Sequence, residues 1–340
     1  MKQPLQLIKI SGQAGASAAG TVIAELPLGF RYYAITQNMT VPTATSVTGV
    51  NFPGDTILRV NGQAQRSINP AELDGINILN NPPSATIGTA GATPFSTIAP
   101  ITTLLLLEQY LAEPWAPIPS TRERYALDLL PGDSGSLEVP FASIAAAPTV
   151  TFCALVEPIS EVVGSGRPLN RFGAQYDRNT TVDDILAQKV NNGKPTLVKH
   201  LKGSDTPNSS TFNMQKIHTT FGNNDVLQHL RLMDPTGGQT IDQAVLTLTR
   251  NAQTRELFNR TRYQNIKDLR TAQMNPTVAT FVALSSTTQG SAFDIVPNMS
   301  DEKRDGWAIA PTDTFNVALT FSASATTAIK WIAQVFGPCN

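Results

Sequence analysis

Short runs in which apolar and polar residues alternate fill most of this 340-residue chain, and Gly, Pro, Asn and Thr separate them. Such alternation predicts β-strands with one buried and one solvated face. We predict eight strands in the first half, at 5–10, 21–26, 31–41, 56–60, 101–110, 125–129, 136–141 and 149–156. Eight more follow in the second half, at 196–201, 211–217, 226–232, 244–249, 278–284, 307–310, 315–321 and 329–336.

Each half also predicts one short helix at a matching place. In the first half, Asn69-Pro70-Ala71-Glu72 supplies a capping Asn, a Pro at the first helical position and a Glu three residues after the cap. The matching helix of the second half is predicted from Thr254 to Leu269, with Thr254 as its cap. With so few helices between strands, a parallel α/β fold is excluded.

The second half repeats the plan of the first, which indicates a duplicated domain. The strand–helix segment from Asp55 to Ile78 matches the segment from Ile241 to Ile266. Further along, the turn that ends at Asp133 matches the turn that ends at Asp313. We therefore predict a first domain at 1–158 and a second at 195–340.

Residues 159–194 are polar and Gly-rich and are predicted to connect the two domains. A helix is expected within this connector, because Val182, Ile185, Leu186 and Val190 fall on one helical face. The predicted fold class is all-β, with two tandem eight-stranded jelly-roll β-sandwiches, each carrying a short helix in an inter-strand loop, plus the connector helix. The strands are spaced too widely for immunoglobulin-type units.

Composition narrows the possible partners. Charged residues make up 15% of the chain, against roughly 25% in a typical soluble domain, which suits a chain that buries much of itself against neighbours. The net charge of −1 and the lack of a basic stretch argue against direct sequence-specific nucleic-acid binding. Met1–Ile10 predicts a strand rather than a signal peptide, so folding inside a cell is expected. Cys153 and Cys339 are too few for a disulfide framework.

Two patterns imitate catalytic or metal chemistry. Gly132-Asp-Ser-Gly135 resembles the surroundings of a protease serine, but all three histidines lie in the other half and the repeat contains no second Gly-Ser. The motif is therefore interpreted as a turn. His200, His218 and His229 lack metal-ligand spacing and are interpreted as ordinary surface or sheet residues. We predict no enzymatic activity, no cofactor and no bound metal.

One aromatic residue is predicted to contact another subunit. Trp115 lies in a proline-rich loop with Pro114 and Pro117, where no predicted strand or helix could bury it. The equivalent stretch of the second half is shorter, so the loop occurs in only one copy. An exposed aromatic–proline loop of this kind is a candidate subunit contact.

The tandem of two helix-bearing jelly rolls resembles the double jelly-roll major capsid proteins of tailless, internal-membrane-containing icosahedral bacteriophages, the tectivirus- and corticovirus-like group. The resemblance rests on the paired strand–helix segments, the run from Leu104 to Trp115 and the matched terminal strands 149–156 and 329–336. It implies homotrimers with a pseudo-hexagonal outline that tile an icosahedral shell.

The resemblance also implies neighbouring capsid trimers and minor capsid or vertex proteins as partners, an internal membrane as a further possible partner, assembly in the host cytoplasm and a place in the virion. The alternative from another class is a lectin-like tandem β-sandwich that binds carbohydrate, since the surface is rich in Asn, Thr and Gln.

Overall fold

Two compact units make up the chain in a computed structural model. One unit contains 1–75, 86–199 and 337–340, and the other contains 76–85 and 200–336. The structure describes residues 6–14, 20–40, 54–69, 104–113, 123–141, 149–173, 193–214, 225–234, 240–272, 292–297, 306–323 and 325–339, and shorter pieces at 72–79, 217, 274 and 281–289. The domain boundaries proposed from the sequence stay a prediction.

The first unit contains two antiparallel sheets. Its strands are β1 (Gln6–Ala14), β2 (Gly20–Glu25), β3 (Phe30–Thr40), β4 (Thr56–Val60), β5 (Gln63–Ile68), β6 (Leu104–Tyr110), β7 (Leu127–Leu129), β8 (Gly135–Phe141) and β9 (Thr149–Pro158). One sheet has the order β1-β9-β3-β6, with β7 beside β3, and the other has the order β2-β8-β4-β5. With β7 set aside, this is the strand order of an eight-stranded jelly roll.

The same order recurs further along the chain. The strands are β10 (Arg171–Phe172), β11 (Lys194–Asp205), β12 (Thr211–Met214), β13 (Asp225–Met233), β14 (Ile241–Arg250), β15 (Gln253–Thr261), β16 (Phe281–Val282), β17 (Thr288–Gln289), β18 (Phe293–Ile295), β19 (Trp307–Ile309), β20 (Thr314–Phe321) and β21 (Ile329–Pro338). One sheet runs β10-β11-β21-β13-β18, with β19 beside β13, and the other runs β12-β20-β14-β15. The predicted tandem of jelly rolls is confirmed.

Individual strands differ from the prediction. The sequence did not predict β5, β15 or β18, and all three belong to the jelly rolls. Conversely, β7 and β19 were counted among the eight, yet each is a three-residue strand at the side of its sheet. Of the strand predicted at 278–284, only Phe281–Val282 is described, and it pairs with β17 alone.

The helices follow the last strand of each strand–helix segment. In the first half, the described residues Glu72, Leu73, Ile76, Asn77 and Leu79 are helical. The predicted cap is present there, since the Asn69 backbone N–H donates to Glu72 Oε2 over 3.1 Å.

The helix prediction for the second half was wrong at its start. Residues from Thr254 onward belong to β15, and the helix begins only at Arg262. We number two helices, α1 (Ile159–Gly164) and α2 (Arg262–Thr271). The true cap is Thr261, which forms a capping box with Gln264.

Helix α1 was not predicted, and it lies at the start of the connector. Its buried residues Ile159 and Val162 pack with Leu130 and Leu169. The predicted connector helix with Val182, Ile185, Leu186 and Val190 lies outside the described residues.

Alternation along the strands places the core of the second unit between its two sheets. Strand β20 buries every second residue, as the alternating pattern predicts. Phe258 of β15 and Phe293 of β18 meet edge to face, with ring centroids 6.4 Å apart. Trp331 of β21 is buried, and a Cβ on Gly203 would lie 2.6 Å from its ring, so only glycine fits there. The core therefore depends on one close approach between a large ring and bare backbone.

Both jelly rolls use the same tight hairpin, with different residues. Between β4 and β5, Asn61 and Gly62 have φ values of 52° and 77°. Between β14 and β15, Asn251 and Ala252 have φ values of 51° and 61°. Two consecutive positive φ angles define a type I′ turn, for which Asn-Gly is the favoured pair. Ala252 is strained, because its Cβ disfavours the left-handed region.

Relief of this strain is expected to stabilise the second unit. Ala252→Gly should raise the free energy of unfolding by about 1 kcal/mol, since the left-handed cost of a Cβ exceeds the extra entropy of glycine in the unfolded chain. The matched exchange Gly62→Ala should lower it by a similar amount. Urea unfolding followed by fluorescence measures both, and a destabilised Ala252→Gly protein would contradict the assignment of strain.

Candidate assembly surface

The predicted subunit contact lies outside the described residues. Pro114, Trp115 and Pro117 belong to the stretch 114–122, and their role stays a prediction. The chain that leads into this loop is well anchored. Leu111 and Ala112 are buried, and their backbone N–H groups both donate to the Tyr33 carbonyl, over 2.9 and 3.1 Å.

Among the described residues, one exposed aromatic side chain was missed by sequence reasoning. Tyr263, in the first turn of α2, is 83% exposed. It borders a shallow, largely open depression that is also lined by Ile266, Lys267, Arg270 and Thr271. Of the two apolar residues of this helix, Leu269 is buried and Ile266 is half-buried. A large exposed ring beside aliphatic and cationic side chains is typical of a contact surface.

The Gly132–Gly135 motif is a turn, and its duplicate has the same geometry. In the first unit, the Asp133 carboxylate accepts the Leu130 N–H over 2.8 Å, and the Asp133 N–H donates to the Leu130 carbonyl over 3.0 Å. In the second, Asp313 and Ala310 exchange the same two bonds, over 2.7 and 2.9 Å. The matched turns predicted from the repeat are confirmed.

A different arginine binds each turn carboxylate. Arg171 of β10 donates to Asp133 over 2.7 Å, and Arg250 at the end of β14 donates to Asp313 over 2.6 and 2.8 Å. The bond from Arg250 lowers the pKa of Asp313 to about 2, and the Ala310 N–H acts in the same direction. Each carboxylate thus fixes a turn and holds an arginine, which leaves Ser134 as an exposed turn residue.

The ionised form of Asp313 should stabilise the second unit in a pH-dependent way. Because its folded pKa lies below the ordinary value of about 3.9, its contribution is complete above about pH 4 and is lost as the pH falls towards 2. Asp313→Asn should therefore be less stable than wild type at pH 7, and the gap should shrink between pH 4 and 2. Thermal melts across this range measure the gap.

Asp268→Asn is the matched control for that experiment. Its partner Arg260 lies 2.9 Å away, but the two side chains are 37% and 49% exposed. Such a pair contributes little because water screens it. A gap for Asp313→Asn that stays constant from pH 7 to 2 would rule out the assigned ion pair.

Two of the three histidines belong to one buried network of hydrogen-bonded side chains in the second unit. His200 Nε2 lies 3.0 Å from Gln334 Nε2, and Gln334 Oε1 lies 3.0 Å from His229 Nδ1. His229 Nε2 lies 2.9 Å from Asp294 Oδ1, which also accepts a hydrogen bond from Arg231 Nη1 over 3.2 Å. The residues stand on the neighbouring strands β11, β21, β13 and β18. They are sheet histidines, as predicted, whereas His218 lies outside the described residues.

Asp294 is the negatively charged residue of this network. Burial alone would raise its pKa, but Arg231 and His229 outweigh burial and hold the pKa below its ordinary value. The side chains of Asp294 and Arg231 are 3% and 2% exposed. On α2, Asn265 donates to the Asp294 carbonyl over 2.7 Å, which links the helix to β18.

Removal of the Asp294 charge should strongly destabilise the second unit. Asp294→Asn preserves the shape and leaves Arg231 buried beside a neutral group, so the free energy of unfolding should fall by about 3–5 kcal/mol. Urea unfolding measures the loss. A decrease in the free energy of unfolding of less than about 1 kcal/mol would contradict this expectation, because it would be as small as the contribution of a solvent-exposed ion pair.

The first unit contains its own buried ionic cluster. Arg31 of β3 binds both oxygens of Asp128, over 2.7 and 2.9 Å, and the Pro168 carbonyl over 2.7 Å. Burial lowers the pKa of Arg31, but the bonds to Asp128 outweigh it and the net shift is upward. Asn170 adds a backbone N–H to the same carboxylate, so the cluster ties residues 168–170 to β3 and β7.

Other kinds of site are also absent from the part of the chain that the structure describes. Among those residues, no group of three or more His, Cys, Asp or Glu side chains is arranged to hold a metal ion. No described helix is long and apolar enough to cross a bilayer. Cys153 and Cys339 are both free thiols, and burial raises the pKa of Cys339 to about 12.

The strand order and the duplicated helices are those of the double jelly-roll fold, which solved structures of viral major capsid proteins share. The major capsid protein P2 from bacteriophage PM2 is 10% identical, with a TM-score of 0.66 over 98% of both chains. A chain of the PBCV-1 virus capsid is 10% identical, with a TM-score of 0.56 over 98% of this chain and 93% of that one.

A third neighbour is the major capsid protein of STIV, the Sulfolobus turreted icosahedral virus. It is 12% identical, with a TM-score of 0.57 over 98% of this chain and 97% of that one. At these identities the likeness establishes the fold. No protein-family model matches the sequence, and no curated relative was found at significant similarity.

Proposed function

We propose that this chain is a viral major capsid protein, a structural subunit without enzymatic activity. The observation that carries the proposal is the correspondence of both jelly rolls, over 98% of each chain, with the major capsid protein of bacteriophage PM2. A likeness of one jelly roll alone would be weaker support, since that sandwich serves many functions. The proposed place of the protein is the virion, after assembly in the host cytoplasm.

The duplication has a physical reason if three chains associate. Three copies of two jelly rolls make a ring of six similar domains, so a three-fold object can occupy a six-fold position in a shell. We propose such pseudo-hexagonal homotrimers, with neighbouring trimers and minor capsid or vertex proteins as partners, and an internal membrane beneath. The domains would be 1–158 and 195–340, joined by 159–194. A charged fraction of only 15% supports extensive subunit contacts.

Trp115 with Pro114 and Pro117 remains the contact proposed from the sequence. The loop occurs in one copy only, so it would contribute three times around a trimer rather than six. The lectin-like alternative is not favoured, because the three solved structures reported above, with TM-scores of 0.56 to 0.66 over 98% of this chain, are capsid proteins.

The mass and outline of the purified protein test the proposal. Sedimentation should give three times the 36.4 kDa chain mass, and electron microscopy should show six-lobed particles. The measurement is made at several protein and salt concentrations, because shell proteins associate by mass action. A protein that stays monomeric under all conditions, and that binds immobilised glycans through Trp115, would replace the capsid proposal with the lectin one.

A further inference from the structure

The two jelly rolls have the same strand register, so their cores can be compared residue by residue. The pairing of β9 with β3 contains one register shift, and the pairing of β21 with β13 contains one at the same place. Gln37 then lies opposite Phe152 of β9, and Leu232 lies opposite Trp331 of β21. The two hairpins agree as well, because Leu58 and Leu246 each precede a register shift.

Four core-facing residues are polar in the first jelly roll and apolar in the second. The equivalent pairs are Gln37 and Leu232, Gln109 and Ile295, Thr56 and Ala244, and Arg66 and Phe258. All four residues of the second jelly roll belong to its apolar core. The interior of the first jelly roll has therefore been changed at matched positions, although its backbone pairing has not.

The polar residues at these four positions are fully buried, and three of them have unsatisfied side chains. None of the four is more than 2% exposed. Both amide atoms of Gln37 and of Gln109, and the hydroxyl of Thr56, are buried without a hydrogen-bond partner. A group that leaves water and gains no partner opposes folding. The first jelly roll therefore has a cost that the apolar residues of the second avoid at the same places.

The last strands of the two sheets are also joined differently in the two jelly rolls. In the second, Phe258 of β15 and Phe293 of β18 meet edge to face. In the first, Arg66 of β5 donates instead to the Tyr110 carbonyl at the end of β6, over 2.6 Å. Its other bond goes to the Val198 carbonyl, also over 2.6 Å, and burial lowers the pKa of Arg66 to about 9. An apolar contact is thus replaced by a single hydrogen bond between the two last strands.

We propose that residues 104–109 of β6 detach from β3 in a local opening, which admits water to Gln37 and Gln109 while the second jelly roll stays closed. The first jelly roll is then the one that can change shape, and the second is the rigid one. The opening takes place within a single chain, so it does not rest on the proposed capsid function.

Three features of β6 make it the strand that opens. It is the last strand of its sheet, so its detachment breaks one ladder of hydrogen bonds only. Gln109 lies opposite Ile35, and Gln37 follows on the same face of β3, so the two amides are diagonal neighbours across these strands. The residues after 109 stay in place, because Arg66 and the Tyr33 carbonyl hold residues 110–112. Water then supplies the hydrogen bonds that the amides lack in the closed form.

Hydrogen exchange of the full-length chain, read by mass spectrometry on peptic fragments, tests the opening. Amides of β6 should exchange about tenfold faster, or more, than those of β18, which has the same position in the second jelly roll. They should also exchange faster than those of β9 in their own sheet. Exchange of β6 that is no faster than that of β18, or that occurs together with that of β9, would overturn the proposal.

Replacement of the two glutamines gives an independent measurement. Methionine has nearly the shape of glutamine without the polar atoms, so Gln37→Met with Gln109→Met should slow exchange of β6 by about tenfold or more. Exchange of β18 should not change. Gln63→Met is the matched control, because this side chain is exposed, and it should leave β6 as in wild type. If the double variant does not fold, each single variant should still slow β6, and unchanged exchange in both would overturn the proposal.

The local opening and the proposed capsid function fail in different ways. A protein that never forms oligomers, but shows fast exchange of β6 that the methionines slow, would refute the capsid function alone. Six-lobed trimers in which β6 and β18 exchange equally slowly, with no effect of the methionines, would refute the opening alone.

Discussion

Each jelly roll depends on the pairing of a late strand with the first one. In the first unit, β9 lies between β1 and β3, with Gln6 opposite Val156 and Phe30 opposite Pro158. In the second, β21 lies between β11 and β13. These long-range antiparallel pairs fix the central strands of one sheet and therefore the positions of the turns at its ends. The hairpins, the aspartate turns and the helices are all placed by strands that this pairing has already brought together.

Buried polar residues fix the register of these sheets. A shift of one residue along β13 would turn His229 and Arg231 towards the apolar core and place Leu230 on the face that now carries the buried polar residues. Asp294 on β18 opposes Arg231 directly, so the correct pairing is also the one that neutralises the charge. Arg31 and Asp128 are paired in the same way between β3 and β7. Charged residues are few in this protein, and the buried charged pairs favour the observed register between neighbouring strands.

The sequence predicted the interior of the fold better than its margins. Central strands such as β20 alternate strictly, because both their edges are paired and one face meets the core. The missed strands β5 and β15 are the last strands of their sheets. Their sequences are polar, since an edge strand with exposed side chains resists further pairing. For this reason Gln253–Thr261 was mistaken for the start of a helix.

The candidate contacts were harder to predict for a different reason. The buried network of hydrogen-bonded side chains that runs from His200 to Arg231 joins four strands. Its members are up to 134 residues apart in sequence, so no local spacing predicts it. Tyr263 was missed because a helix residue is exposed or buried according to its neighbours, and those neighbours are set by the tertiary fold. Trp115 could be proposed from the sequence, because a proline-rich loop predicts exposure without reference to the rest of the molecule, and its role stays a prediction.

Strand β21 is the last strand of its sheet to be synthesised. Every other strand of its sheet is translated earlier. Strands β11 and β13 can therefore pair with their common neighbour only after residues 329–338 have been synthesised. The Cys339 N–H then donates to the Pro195 carbonyl over 2.8 Å, which fastens the end of this strand within the first unit. A chain interrupted before residue 329 keeps two open strand edges. Residues 329–338 therefore complete this sheet last, because they supply the strand with which both β11 and β13 pair.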